Sequence, residues 1–169
     1  MHDRHPRLAI LPGSFDPLTL GHVDLVSRAT ALFDQVVVAI LINDQKVPLM
    51  PQDERVALAA EVFRDMPAVE VETFDGLLTE YAARRGSAAV VRGLRTGADL
   101  EYELPMALMN RRLRAAHETV FLAPAPELAY ISSRLVKEIW RLGGDVSGLV
   151  PGPVAERLRA RRGQPAGAR

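Results

Sequence analysis

Apolar positions along the chain switch repeatedly between two spacings. Leu8 to Leu11 is a short aliphatic run that stops at Pro12-Gly13. Leu25, Val26, Ala29, Leu32 and Phe33 then fall at i, i+1, i+4, i+7 and i+8, one face of a helix beginning near Gly21-His22. Val36 to Ile42 is unbroken and rich in β-branched residues, as expected of a strand covered on both faces. Pro51 to Glu54 sets a proline and two acids at a helix start ahead of Val56, Ala59, Ala60 and Phe63. Val69, Val71 and Thr73 alternate with Glu70 and Glu72, a strand nearer an edge. Leu78 to Arg85 reads as a short helix stopped by Gly86. Ala88 to Val91 and Thr119 to Ala123 are a fourth and a fifth strand, separated by a helix with Leu100, Leu104, Ala107 and Leu108 on one face. Ser132 or Ser133 can cap a further helix to Leu142, closed by Gly143-Gly144.

Strands alternating with helices predict a single Rossmann-like α/β domain, with a five-stranded parallel sheet and helices on both faces. The domain is expected over residues 1–162, without repeat or linker. Gly163 to Arg169 lacks an apolar face and is expected to fray. A chain of 169 residues buries roughly 70% of its unfolded surface, enough for a core without staples.

Charge changes the picture in one respect. Lys plus Arg and Asp plus Glu both number 21, so no global field draws the chain to nucleic acid or anionic lipid. Any anion site must be built locally. The absence of cysteine excludes disulfides, thiolate nucleophiles and Cys-ligated metals. The longest aliphatic run, seven residues from Val36, is far short of the ~20 needed to span a bilayer. The first residues carry charge but no apolar stretch, so no secretory signal is expected and a cytoplasmic home is the default.

In open parallel sheets, ligands bind beyond the carboxyl ends of the strands where strand order reverses. The unusual residues collect there, after the first and fourth strands. In Pro12 to His22, Gly13 permits close backbone approach and Ser14 offers a hydroxyl and an amide. His22 falls at the start of the first helix, whose free amides attract phosphate oxygens. An isolated Gly-His pair would be a solvated cap. Directly after a strand, and following Pro-Gly-Ser-Phe-Asp-Pro, it favours a functional role.

Pro12 to Pro17 with Thr19-Leu20-Gly21-His22 resembles the T/HxGH signature of the nucleotidyltransferase superfamily. Arg92-Gly93-Leu94-Arg95, Asp99 to Glu103, Met109-Asn110-Arg111 and Ile131-Ser132-Ser133 with Leu135 to Glu138 are similar to the bacterial phosphopantetheine adenylyltransferases. The likeness runs from about Leu8 to Pro151. It implies strand order 3-2-1-4-5 and transfer of AMP from Mg·ATP to the phosphate of 4′-phosphopantetheine, the penultimate step of coenzyme A biosynthesis. The acceptor is already an anionic nucleophile, so positioning and charge neutralisation suffice. The likeness makes His22 the transition-state donor. It assigns Ser14, Lys46, Leu78 and Arg92 to the acceptor. It assigns Ser14, Phe15, His22, Gly93, Leu94, Arg95, Glu103 and Leu128, Ala129, Tyr130, Ile131, Ser132, Ser133 and Arg134 to the nucleotide. No metal ligand is implied, magnesium being held by phosphates and water. Relatives are homohexamers, and coenzyme A acts on them as a feedback inhibitor.

Two sister readings stay open on the residues alone: a nucleotidyltransferase with another phosphate acceptor, and a non-catalytic nucleotide-binding module. Three positions depart from the family pattern. Asp44 stands two residues before Lys46 and weakens the positive field there. Pro105, six residues after a cap expected at Asp99, should cost a hydrogen bond and kink its helix. Arg134 replaces a small hydroxyl residue, and could reach a phosphate or point to solvent. His2, His5 and His117 match no motif, Trp140 reads as a packing residue, and the arginines from Arg157 to Arg162 read as a solvated basic end.

Overall fold

The computed structural model describes residues 6–42, 48–115 and 117–162. Five parallel strands, β1 (Leu8–Gly13), β2 (Gln35–Leu41), β3 (Val69–Phe74), β4 (Ala89–Gly93) and β5 (Thr119–Leu122), form one sheet in the order β3-β2-β1-β4-β5. Helices α1 (Leu20–Thr30), α2 (Gln52–Val62), α3 (Leu78–Arg84), α4 (Gly97–Leu113), α5 (Ser133–Arg141) and α6 (Gly152–Arg162) connect and follow them. The expected architecture and strand order are both found.

Strand side chains alternate between faces, and the core divides accordingly. Ala9, Leu11, Val36, Val38, Ile40 and Val91 face a cluster completed by α1, α2, α5 and α6. Leu8, Ile10, Val37, Ala39 and Val90 face a smaller one completed by Phe74 and by Tyr81 and Ala82 of α3. Val36 through Ile40 are therefore all buried, as their unbroken run requires. Each of the three valines and Ile40 contributes about 1.5–3 kcal/mol relative to exposure. The half-polar β3 lies at an edge, where its glutamates can be used: Tyr81 donates to Glu72 at 2.6 Å and stacks on Phe74.

The sheet opens where the order reverses. β1 pairs with β2 along all six residues from Leu8 to Gly13, but with β4 only at Ala9 and Ile10. β1 continues through Pro12-Gly13, two residues past the expected stop, and Pro12 brings no N–H. Its carbonyl instead accepts from Arg92 Nη1 at 2.8 Å, bridging the gap between the two strands.

Helix α4 departs from expectation in three ways. Its N-cap is Thr96, whose side chain and Asp99 form a reciprocal capping box, so it starts earlier than the Asp99 cap expected from sequence. It runs continuously through Pro105, which is exposed, so the carbonyl deprived of a partner can turn to water. Its leucine face does not enter the core: of its residues only Asn110 is buried, while Leu100, Leu104 and Leu108 are 41%, 43% and 57% exposed. The basic end also differs from a solvated tail. Arg157 and Arg161 meet Glu54 on α2, and Arg162 donates to the carbonyls of Trp140 and Gly144. Trp140 packs as expected, its Nε1 donating to the Leu158 carbonyl at 2.9 Å.

Candidate active site

The first loop is held in place before any ligand arrives. Asp16, almost fully buried, accepts from the amides of Leu49 and Met50 at 2.9 and 3.0 Å. Arg55 of α2, also buried, donates to the carbonyls of Met50 and Ser14 at 3.1 and 2.6 Å. Two ionised side chains thus clamp Ser14 to Asp16 against residues 49–50 through four backbone groups. A Cβ at Gly13 would sit 3.1 Å from the Phe15 ring, so any larger residue would press on that ring. Phe15 itself takes a positive φ of 46° and meets the His22 ring edge-on at 5.0 Å.

His22 is the third residue of α1 and closes a capping box with Thr19. The Thr19 amide donates to Nδ1 at 3.0 Å, and the Thr19 hydroxyl lies 3.0 Å from the same nitrogen. An amide can only donate, so Nδ1 is the unprotonated nitrogen and Nε2 carries the hydrogen. Burial, and then the charges of Arg95 and Arg92, push the imidazole down to about 4. At neutral pH His22 is a neutral ring with one orientated N–H, at the positive end of a helix and near two guanidinium groups.

Those arginines flank Gly93 and Leu94 at the carboxyl end of β4, and each meets one carboxylate of α4. Arg92 grips Glu103 with Nε and Nη2 at 2.8 and 2.5 Å, and Arg95 grips Asp99 at 3.1 and 3.0 Å. Burial alone would raise the Asp99 carboxyl, but bonds from Arg95 hold it below its usual range. Glu103, for which the resemblance implies a nucleotide contact, thus has both oxygens on Arg92. Arg95 also reaches the Ile131 carbonyl at 3.4 Å, linking this turn to the segment Leu128 to Arg134.

That segment packs against the start of α1, with the Leu128 and Ile131 carbonyls in contact range of Gly21. Ser132 N-caps α5, accepting from the Leu135 amide at 3.2 Å, and the Ser133 hydroxyl donates to the Pro17 carbonyl at 2.8 Å. The Ser133 proton is thus used, whereas the Ser132 hydroxyl only accepts and keeps its own O–H, which with the first amides of α5 is the kind of donor an anion can meet. Ile131 is buried, Leu128 and Ala129 are half-buried, and Tyr130 and Arg134 are exposed.

On the other side of Ser14 lies a cavity of about 820 Å³. Its lining includes the polar residues Ser14, Asp16, Arg55, Arg92, Glu103 and Lys137 and the apolar residues Leu41, Phe74, Leu78, Val90 and Met106. Leu78 therefore lines a pocket and is more than a core residue. Lys46 lies outside the described residues. The structure thus brings Ser14, Leu78 and Arg92 to one cavity, and His22, Phe15, Arg95 and the α5 start together beside it.

The model of the cytidylyltransferase-like family matches residues 10–139. Over 161 residues the chain is 52% identical to a phosphopantetheine adenylyltransferase of Acidovorax sp. (strain JS42), covering 95% of this chain and 98% of the relative. One from Caldanaerobacter subterraneus subsp. tengcongensis is 51% identical over 90% of this chain and 95% of its own. The chain belongs to the phosphopantetheine adenylyltransferase family. Among solved structures, a Vibrio parahaemolyticus protein assigned as a nicotinate-nucleotide adenylyltransferase superposes with a TM-score of 0.63 at 18% identity. That match covers 92% of this chain and 99% of the other, and shows the shared fold.

Within this family member, residues that sequence reasoning left without roles prove central to the site. Arg55 and Asp16 set the first loop, and Lys137 joins them from α5 with Nζ 3.2 Å from Asp16 Oδ2. A buried arginine and a buried aspartate have no local periodicity to betray them. The one available signal was the placement of Asp16 inside the Pro-Gly-Ser-Phe-Asp-Pro stretch.

Proposed function

We propose that the chain transfers the adenylyl group of ATP to the phosphate of 4′-phosphopantetheine, giving dephospho-coenzyme A and pyrophosphate. The observation that carries this reading is the His22 Nε2–H, fixed by Thr19 at the start of α1 and flanked by Arg92 and Arg95. An acceptor phosphate oxygen attacks the α-phosphorus and forms the new P–O bond. The bond from that phosphorus to the oxygen bridging toward the β-phosphate breaks, and pyrophosphate leaves with the electron pair. The His22 N–H donates to a non-bridging α-oxygen as charge grows there, a contribution of order 10²–10³ in rate. No general base is needed, because the nucleophile is already an anion.

In this reading Gly93, Leu94, Arg95 and Leu128 to Arg134 hold the nucleotide, with the α5 amides and Arg95 at its outer phosphates. Ser14, Arg92 and Lys46 meet the acceptor phosphate, and Leu78 with the other apolar lining residues takes the pantetheine arm. The cavity volume suits a ligand of that size. Magnesium, brought as part of the Mg·ATP substrate, would neutralise phosphate charge. The site fits a phosphate-held ion: Asp16 has its oxygens on Leu49, Met50 and Lys137, so the protein presents cations and amides to the phosphates.

Coenzyme A carries the same pantetheine arm and would compete for this cavity. The exposed leucines of α4 support self-association, because a helix with one buried residue leaves an apolar face uncovered; the resemblance makes that assembly a homohexamer. No helix among the described residues is long and apolar enough to cross a membrane, and the reading assigns the enzyme to the cytoplasm. Incubation with Mg·ATP and separate acceptors tests the reaction. Pyrophosphate release with 4′-phosphopantetheine is expected. Release only with nicotinamide mononucleotide or glycerol phosphate would transfer the reading to a sister enzyme, and ATP binding without release would make the chain a binding module.

A further inference from the structure

Among the described residues, five charged side chains line the cavity: Arg55, Arg92 and Lys137 against Asp16 and Glu103. The cations differ in what remains of their hydrogen bonding. Arg55 is buried, with Nε and Nη1 on the Met50 and Ser14 carbonyls, and has little surface to offer a ligand. Arg92 is committed through Nε and Nη2 to Glu103 and through Nη1 to Pro12. Lys137 has three N–H donors, and among the described residues only Asp16 accepts from it. Nor does Asp16 depend on Lys137, since backbone amides already serve both its oxygens. The Lys137 side chain is 29% exposed and lines the cavity.

We propose that Lys137 is a substrate-contacting residue, presenting its free N–H donors to the phosphate of the pantetheine acceptor. The proposal rests on the reaction assigned above. Its charge argument is independent of that reaction: the described residues of the lining carry one net positive charge, and removing Lys137 leaves none among them. Asp16, two residues from Ser14, holds the ammonium in the cavity lining, so little side-chain entropy is left to lose on binding.

The test uses the full-length enzyme and the variants Lys137→Met, Lys137→Arg and Asp16→Asn/Lys137→Met. Dissociation constants are measured for 4′-phosphopantetheine and for pantetheine, which has the same arm without the phosphate. A hydrogen bond between charged groups is worth about 1.5–3 kcal/mol, so Lys137→Met should weaken phosphopantetheine roughly 10- to 100-fold. Pantetheine binding and the KM for ATP should move less than about threefold, and Lys137→Arg should recover part of the loss. The double variant keeps the net charge of the lining and guards against a stability defect from an uncompensated Asp16. It should stay weak toward phosphopantetheine. Recovery of affinity in the double variant would reduce Lys137 to a counter-charge and overturn the proposal, as would equal losses for both ligands. Failure of the wild-type enzyme to bind phosphopantetheine would sink the functional reading itself, a result visible before any variant is compared.

Discussion

Thr19 and His22 bond to each other in both directions across the first turn of α1. The Thr19 amide donates to His22 Nδ1, and the His22 amide donates back to the Thr19 hydroxyl at 3.4 Å. A capping box therefore performs a second task, selecting the tautomer that leaves Nε2–H free. His22→Ala should lower kcat by about 10²–10³ while ATP affinity stays within a few-fold. Steady-state kinetics with an independent ATP-binding measurement check it; a large affinity loss with normal turnover would make His22 a binding residue only.

The same imidazole predicts a pH dependence. Its folded value is near 4, below the ordinary 6.5, so the unfolded chain takes up a proton first as pH falls. The stability it contributes is complete above about 6.5 and declines as pH drops toward 4. In the free enzyme the ring stays neutral from pH 6 to 8. An NMR titration should find the His22 resonances unchanged across that range, and a midpoint near 6.5 would contradict the half-buried, arginine-flanked placement.

Gly93 lets β4 lie directly on α1. A Cβ there would sit 2.4 Å from Leu25 Cδ1, and Leu25 is itself buried. Gly93→Ala should destabilise the fold by about 1–3 kcal/mol through overpacking. Adding Leu25→Ala empties the space the methyl needs, so the double variant should be less destabilised than the sum of the singles. Denaturant unfolding of the four proteins gives the coupling, and strict additivity would show that the two residues do not compete for space.

The α4 leucines carry the prediction about assembly. Leu104→Glu and Leu108→Glu alter exposed positions and should leave the protomer folded, as judged by circular dichroism. Sedimentation should show dissociation to smaller species if this face holds copies together. An unchanged mass would relocate the interface.

Much of this was legible before the fold was known. The switch between strand and helix spacing marked all five strands, and the glycines and hydroxyls at strand ends marked the site. What misled was α4. Leu100, Leu104 and Leu108 share a helical face in sequence, but periodicity reports only that such a face will be covered, not by what. Pro105 misled for a related reason: its cost depends on whether the orphaned carbonyl meets water.

The sequence by itself determined the order of elements, the doubly covered centre of the sheet, and which residue types stand where strands end. These are properties of neighbouring residues, set by local sterics and by the period at which apolar groups recur. Only the tertiary structure decided that Arg92 would hold Glu103, that Arg55 would clamp the Ser14 carbonyl, and that Lys137 would cross 121 positions to reach Asp16. Those pairings depend on which segments the sheet order brings side by side, and charge is attracted to charge without regard to distance along the chain.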